Sequence, residues 1–238
     1  MQCVILAGGI GTRMKTYTDQ IPKALIPVDG KPFLSYQLDY LAAQGIAEVL
    51  LSIGYKGDMI RDHIARHPPK GLKVDWVDEG KDLRGTGGAL RLALDQDKLQ
   101  DHFFILYGDS FLPIEFHPIA LRFAKGPERA LMTVIKNEGQ WDESNACFDG
   151  RRVTLYQKGL GAKKPAEMHY IDYGLSILGR QIVEREIPSG VKLDLAEVFH
   201  RLSRQEALAG FEVHERFFEI GSPQGLADFV NYRAKKRV

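Results

Sequence analysis

The chain has 238 residues and a formal net charge of +1, from 32 basic and 31 acidic side chains, so its charge does not indicate a general nucleic-acid-binding surface. Its two cysteines, Cys3 and Cys147, are far apart, which argues against a disulfide framework or a zinc site and favours a reducing cytoplasm. No apolar run approaches the ~20 residues that a membrane-spanning helix needs. The composition predicts a cytoplasmic protein whose partners are neither nucleic acid nor membrane.

Apolar strands alternate with amphipathic helical patterns through the first half of the chain. The pattern predicts, in order, a strand at Cys3–Ala7, a helix at Phe33–Gln44, a strand at Glu48–Ile53, a helix at Lys56–Arg66, a strand at Lys73–Val77, a helix at Gly88–Asp95 and a strand at His102–Tyr107. Repeated β-α-β order predicts an α/β fold, a Rossmann-like three-layer sandwich with a mostly parallel central sheet.

The second half is less regular. Its predicted strands are Ala130–Ile135, Val153–Tyr156, Tyr170–Leu178 and Gly210–Val213, and its predicted helices are Asp194–Leu208 and about Gln224–Lys235. No linker, repeat or low-complexity segment interrupts the chain, so we expect a single domain over residues 1–238.

The segment after the first strand carries the strongest chemical signal. Glycines at Gly8, Gly9 and Gly11 let backbone N–H groups approach an anion closely, because no Cβ stands in the way. Arg13 offers a planar fork for phosphate oxygens, and Lys23 offers a compact charge. Two cations that flank a backbone cradle suit a triphosphate.

Two common phosphate-binding motifs do not fit this segment. A P-loop requires Gly-Lys followed by Ser or Thr, whereas Gly11 is followed by Thr12 and Arg13. A Rossmann fingerprint that starts at Gly9 requires Gly or Ala at the position of Met14. Both interpretations are therefore unfavourable.

The stretch from Leu6 to Lys31, LAGGIGTRMKTYTDQIPKALIPVDGK, resembles the signature of the sugar-1-phosphate nucleotidylyltransferases, and most of all single-domain D-glycero-D-manno-heptose-1-phosphate guanylyltransferase-like members. The resemblance implies the nucleotide-diphospho-sugar transferase fold, with a nucleotide-binding half at about 1–112 and a sugar-phosphate-binding half at about 113–238. It also implies transfer of a nucleoside monophosphate from an NTP, with GTP favoured, to a sugar 1-phosphate, with release of pyrophosphate. The nucleotide-binding residues it implies in this segment are Leu6, Ala7, Gly8, Gly9, Gly11, Thr12 and Arg13. The catalytic residues it implies are Arg13, Lys23 and Asp109.

A second glycine-rich segment, from Asp78 to Ala89, resembles the family's E-x-x-P-L-G-T-G-G-A sequence. Backbone groups of such a loop can contact a base edge. The resemblance assigns nucleoside binding to Glu79, Gly85, Thr86 and Gly87.

Two carboxylates are candidate ligands for Mg²⁺, the implied cofactor. Asp109 follows a predicted strand and Gly108, and a carboxylate at a strand end can hold Mg²⁺ beside phosphate oxygens. Glu219 lies in Phe218-Glu219-Ile220-Gly221-Ser222-Pro223, where the family usually has aspartate. Because glutamate is one methylene longer, it could reach the metal directly or through a water.

The sugar-phosphate side is assigned by resemblance and by the polarity of its loops. Lys158 follows a predicted strand at the place where relatives keep a lysine for the sugar phosphate. Asp172, Tyr173 and Gly174 match a family segment that faces sugar hydroxyls, and Asn145 belongs to a polar loop that contains an aromatic residue.

Several alternatives stay open at this point. The transferred group could be uridylyl, thymidylyl or cytidylyl, and the acceptor could be a hexose or amino-sugar 1-phosphate. A non-catalytic subunit that senses nucleotide sugars is an alternative of another class, although such relatives lose the cations or metal carboxylates. Assembly into a homo-oligomer is also left open.

Overall fold

The computed structural model describes residues 1–159 and 164–236. These residues form a mixed, mostly parallel central sheet with flanking helices, which confirms the predicted α/β fold. The strands are β1 (Gln2–Leu6), β2 (Pro27–Val28), β3 (Lys31–Pro32), β4 (Glu48–Ile53), β5 (Lys73–Asp78), β6 (His102–Tyr107), β7 (Ser110–Phe111), β8 (Ala130–Lys136), β9 (Ala146–Phe148), β10 (Val153–Tyr156), β11 (Tyr170–Gly179), β12 (Ala209–Val213) and β13 (Phe218–Glu219). The helices are α1 (Lys15–Thr18), α2 (Phe33–Ala43), α3 (Gly57–Arg66), α4 (Gly85–Asp95), α5 (His117–Lys125), α6 (Arg180–Glu186), α7 (Leu195–Arg204) and α8 (Pro223–Lys236).

The chain divides into two compact units that interleave in sequence. Unit 1 comprises Met1–Leu83, Leu106–Pro113 and Arg216–Val238, and unit 2 comprises Arg84–Ile105 and Ile114–Glu215. The single domain predicted from the sequence, with halves at about 1–112 and 113–238, stays a prediction. Within the described residues, no helix combines the length and apolar character needed to cross a bilayer.

In unit 1, three parallel strands bring functional segments to one edge. β1 pairs with β4, and β4 pairs with β5. Because the three strands run in the same direction, the segments that follow Leu6, Ile53 and Asp78 leave the sheet at the same edge. Residues 8–18, which we call the glycine segment, therefore start beside Glu79.

An aromatic core holds the remaining parts of unit 1. Phe229 of α8 is fully buried and contacts Phe33 edge to face, with ring centroids 5.1 Å apart. Met14 belongs to the same apolar cluster, as do Phe111 and Phe218. Burial of Met14 fixes the chain next to Arg13, and burial of Phe218 fixes the chain next to Glu219.

In unit 2, β11 pairs antiparallel with β8, β8 pairs parallel with β12, and β9 pairs antiparallel with β10. The β11–β8 register shifts between Asp172 and Ser176, and Gly174 has φ +102° there, a backbone conformation that favours glycine. The helix predicted at Asp194–Leu208 is shorter and ends at Arg204, because Glu206 adopts a left-handed φ of +57°.

Candidate active site

Two glycines of the first segment are required by close packing. A Cβ on Gly8 would overlap the Glu79 carboxylate, and a Cβ on Gly11 would lie 3.0 Å from both Lys23 Cε and Thr18 Cγ2. Gly11 also has φ +69°. Gly9 differs, because a Cβ there would meet nothing within 4 Å. Packing among the described residues gives no reason for glycine at that position. The close approach of a ligand to the backbone, as the sequence predicts, would give one.

Cations and carboxylates of unit 1 converge on Gly221. A Cβ on this glycine would lie 3.2 Å from Arg13 Nη2, 3.2 Å from Asp109 Oδ2 and 3.8 Å from Glu219 Oε1. Lys23 Nζ lies 2.7 Å from Asp109 Oδ2, and both side chains are only 20% exposed. The structure thus brings together the four charged residues that the sequence predicts for the reaction.

Backbone pairing sets the position of both carboxylates. Glu219 pairs with Ser110 between the antiparallel strands β13 and β7, and Ile220 N donates to Asp109 O at 2.8 Å. Gly108 N donates to Leu6 O at 2.9 Å, and a Cβ on Gly108 would lie 2.8 Å from Ala7 Cβ. Gly108 therefore lets Asp109 reach the end of β1.

The donor set suits a hard divalent cation that also binds phosphate. Within residues 1–159 and 164–236, no three His, Cys, Asp or Glu side chains cluster as a metal cage would require. Asp109 and Glu219 together supply two carboxylates beside Gly221. Mg²⁺ is commonly held by one or two carboxylates with water and substrate phosphates, so these residues fit that ion.

The last three glycines of the second glycine-rich segment pack within unit 2. Gly87 N and Gly88 N donate to Leu193 O at 2.9 and 3.1 Å, and a Cβ on Gly85 would lie 2.6 Å from the same oxygen. The Thr86 hydroxyl donates to Asp194 Oδ1 at 3.0 Å and accepts from the backbone N of residue 195 at 2.8 Å. These contacts account for the glycines by packing, and their role in nucleoside binding stays a prediction.

Three of the five predicted sugar-side residues, Asn145, Lys158 and Gly174, lie around a fourth, Asp172, in unit 2. Asp172 Oδ1 accepts from Gly174 N at 3.0 Å, and Asn145 Oδ1 accepts from Asp172 N at 2.8 Å. Burial raises the pKa of the Asp172 carboxyl, and the Lys158 ammonium, Gly174 N–H and Tyr156 hydroxyl partly oppose that rise. Tyr173, the fifth residue, is 2% exposed and belongs to the apolar core.

Sequence reasoning missed a cavity of about 390 Å³ in unit 1. Its walls include Ile10, Tyr55, Lys56, Asp78, Lys81 and Leu83. The available signal was Gly54-Tyr55-Lys56-Gly57, which directly follows β4 at the same edge as the glycine segment. The sequence also predicts no role for Gly221, although this glycine lies in the same motif as Glu219.

Unit 1 brings together a glycine segment, two cations and two carboxylates. This arrangement is typical of a nucleotidyltransferase, and comparison with known proteins supports that class. Residues 3–175 match the model of the MobA-like NTP transferase domain. The chain belongs to that family, and the nucleotidyltransferase class predicted from the sequence is confirmed.

Among its relatives is a D-glycero-alpha-D-manno-heptose 1-phosphate guanylyltransferase of Aneurinibacillus thermoaerophilus, 28% identical over 225 residues and covering 94% of each chain. The enzyme of the same name from Campylobacter jejuni is 38% identical over 125 residues, which are 52% of this chain and 55% of the relative. Among solved structures, HddC from Yersinia pseudotuberculosis aligns with a TM-score of 0.77 at 25% identity, covering 98% of this chain and 99% of HddC.

Proposed function

We propose that this protein transfers GMP from GTP to a sugar 1-phosphate, most favourably a heptose 1-phosphate, and so forms a GDP-sugar and pyrophosphate. The observation that carries the proposal is the convergence of Arg13, Asp109 and Glu219 on Gly221, with Lys23 paired to Asp109. The names of the relatives support guanosine as the nucleoside and heptose as the sugar.

In this reaction an oxygen of the sugar phosphate forms a bond to the α-phosphorus as the bond to the β-phosphate breaks and pyrophosphate leaves. The attacking oxygen is already ionised, so the step requires no general base. Negative charge grows on the α-phosphate and the leaving group, and Arg13 and Lys23 would stabilise it. Asp109 and Glu219 would hold Mg²⁺, which when bound supplies further neutralisation of phosphate charge.

The cavity beside the glycine segment is our candidate for the nucleoside. Its volume of about 390 Å³ lies in the range of roughly 300–1,000 Å³ typical of small-molecule sites. Glu79 lies next to Gly8, and Ser52 Oγ donates to Glu79 Oε1 at 3.3 Å. A carboxylate can accept the N–H groups that distinguish guanine from adenine.

For the sugar phosphate we propose Lys158 as the partner of the phosphate and Asp172 as an acceptor for sugar hydroxyls. Asp172 Oδ1 accepts from Gly174 N and Asp172 Oδ2 accepts from Tyr156 Oη, and a carboxylate oxygen can accept more than one hydrogen bond. Asn145 fixes the Asp172 backbone. Assembly into a homo-oligomer stays a prediction.

Pyrophosphate release tests the proposal. Purified protein is supplied with Mg²⁺, one of GTP, ATP, UTP, dTTP or CTP, and a heptose, mannose or glucose 1-phosphate. We expect the highest kcat/KM with GTP and a manno-configured sugar 1-phosphate. Asp109→Asn should be inactive yet folded, whereas Asp62→Asn, a control whose side chain is 67% exposed, should match the wild type. Nucleotide-sugar binding without turnover would instead favour a regulatory subunit, and turnover with another NTP alone would contradict guanosine.

A further inference from the structure

Two side chains at the cavity wall hold the backbone carbonyl of Thr18. Tyr55 Oη and Lys56 Nζ each donate to Thr18 O at 3.0 Å. Lys56 Nζ also donates to Asp19 O and lies 5.1 Å from the centre of the Tyr55 ring. We call these three residues, Tyr55, Lys56 and Thr18, the loop clamp.

The loop clamp connects the cavity to the glycine segment. Thr18 is 2% exposed, and its hydroxyl contacts Gly11 O at 3.2 Å and Met14 O at 3.3 Å as a donor. At the other end of the segment, Tyr55 N donates to Gly8 O at 3.2 Å. The segment is therefore held at Gly8 and at Thr18, while Thr12 and Arg13 between them are exposed.

Lys56 makes these contacts from an unfavourable backbone conformation. Its φ is +53°, in the left-handed region that non-glycine residues rarely occupy and that tends to persist at functional sites. The next residue, Gly57, packs closely on Ile53, with a Cβ there only 3.1 Å from Ile53 Cδ1. The end of β4 and the start of α3 thus fix Lys56 at the turn between them.

We propose that Lys56, assisted by Tyr55, is a positioning residue for nucleotidyl transfer. Its ammonium holds Thr18 and thereby keeps the glycine segment in the conformation that directs Arg13 toward the phosphates of a nucleotide in the adjoining cavity. This inference rests on the proposed function. Orientation of reacting groups has large effects on rate, and a misplacement of about 1 Å can cost roughly 100-fold.

The test compares Lys56→Met with the wild type by steady-state kinetics and by hydrogen–deuterium exchange. We expect kcat to fall at least about tenfold, and by a larger factor than KM for GTP rises, because the phosphate charge that Arg13 would stabilise grows in the transition state. Amides of residues 9–17 should exchange faster, while those of β4 are unchanged. Lys56→Arg should restore most of kcat, since a guanidinium can donate to the same carbonyls.

Two further variants make the result decisive. Tyr55→Phe removes one of two donors to Thr18 O, so we expect a small loss alone and a greater than additive loss with Lys56→Met. Lys70→Met, which removes an exposed lysine charge outside the cavity, should behave as the wild type. Unchanged exchange of residues 9–17 in Lys56→Met, or a wild-type kcat, would overturn the proposal. If the wild type transferred no nucleotide, the proposed function would fail, and the exchange data would still decide whether the loop clamp exists.

Discussion

Replacing Lys23 by methionine should have opposite effects on metal binding and on turnover. Lys23 Nζ lies 2.7 Å from Asp109 Oδ2, the oxygen that faces Gly221. A cation bound by Asp109 would be repelled by this ammonium, yet the same ammonium would stabilise the phosphates. Lys23→Met should therefore bind metal more tightly in the absence of nucleotide and turn over more slowly in its presence.

The size of the effect follows from the geometry. Lys23 Nζ is 2.7 Å from the oxygen, and Mg²⁺ binds carboxylate oxygens at roughly 2.1 Å, so an ion on that oxygen would be at most about 4.8 Å from the ammonium. Repulsion between a single and a double charge at that distance is about 1.7 kcal/mol in water. Binding by the other carboxylate oxygen would reduce the repulsion, so we expect metal affinity to rise roughly fivefold to twentyfold at low salt.

Mn²⁺ titration without nucleotide, followed by electron paramagnetic resonance of the free ion, measures this change. Calorimetry with Mg²⁺ gives the same comparison for the native ion. Lys23→Arg is the matched control, because it keeps the charge and should not tighten binding. If Lys23→Met bound metal no better than the wild type, Asp109 would not be the metal ligand.

Four substitutions at three other residues test further consequences of the structure. Gly221→Ala should lower kcat and raise the Mg²⁺ concentration needed for half-maximal rate, because the new methyl group would crowd the side-chain ends of Arg13 and Asp109. The melting temperature should not fall, since Gly221 does not have a positive φ. A wild-type Mg²⁺ titration would contradict this prediction. Glu219→Gln should raise the Mg²⁺ concentration for half-maximal rate, and Glu219→Asp should keep part of the activity, whereas an unchanged midpoint in Glu219→Gln would remove Glu219 from the site. Asp172→Asn should raise the melting temperature at pH 7, because burial raises the carboxyl pKa and the charged form therefore costs folding free energy. The gain should shrink as the pH falls through the raised pKa of the folded protein, and it should disappear below about pH 4, the ordinary aspartate range, where the carboxyl is protonated in both the folded and the unfolded chain. A pH-independent difference would count against this explanation.

Strands that are continuous apolar runs could be predicted closely from the sequence. β4 (Glu48–Ile53) and β6 (His102–Tyr107) have the predicted bounds, because burial of several successive residues leaves little freedom in where the strand ends. Short elements were missed, such as α6 (Arg180–Glu186). A helix of that length is not stable alone and depends on contacts that the local sequence does not encode.

The charged residues of the candidate site could be predicted because they belong to contiguous motifs. Arg13 lies in the glycine segment, Lys23 follows that segment, and Asp109 follows a strand. The loop clamp could not be predicted in this way, because Lys56 acts on the backbone carbonyl of Thr18. A side chain that contacts a distant main-chain oxygen places no constraint on the type of residue it meets, so it leaves no motif.

Unit 1 can be completed only at the end of translation, because its last stretch follows all of unit 2 in the sequence. Unit 1 is assembled from three stretches, and the last of them, beginning at Arg216, supplies Glu219, Gly221 and the buried Phe229. A ribosome completes the residues of unit 2 before it reaches this stretch, so a nascent chain can fold that unit while the aromatic core of unit 1 still lacks Phe229. Chains truncated before Phe229 would lack a complete aromatic core, and the Glu219 carboxylate would not be held in position. They would be substrates for proteolysis rather than partly active enzymes.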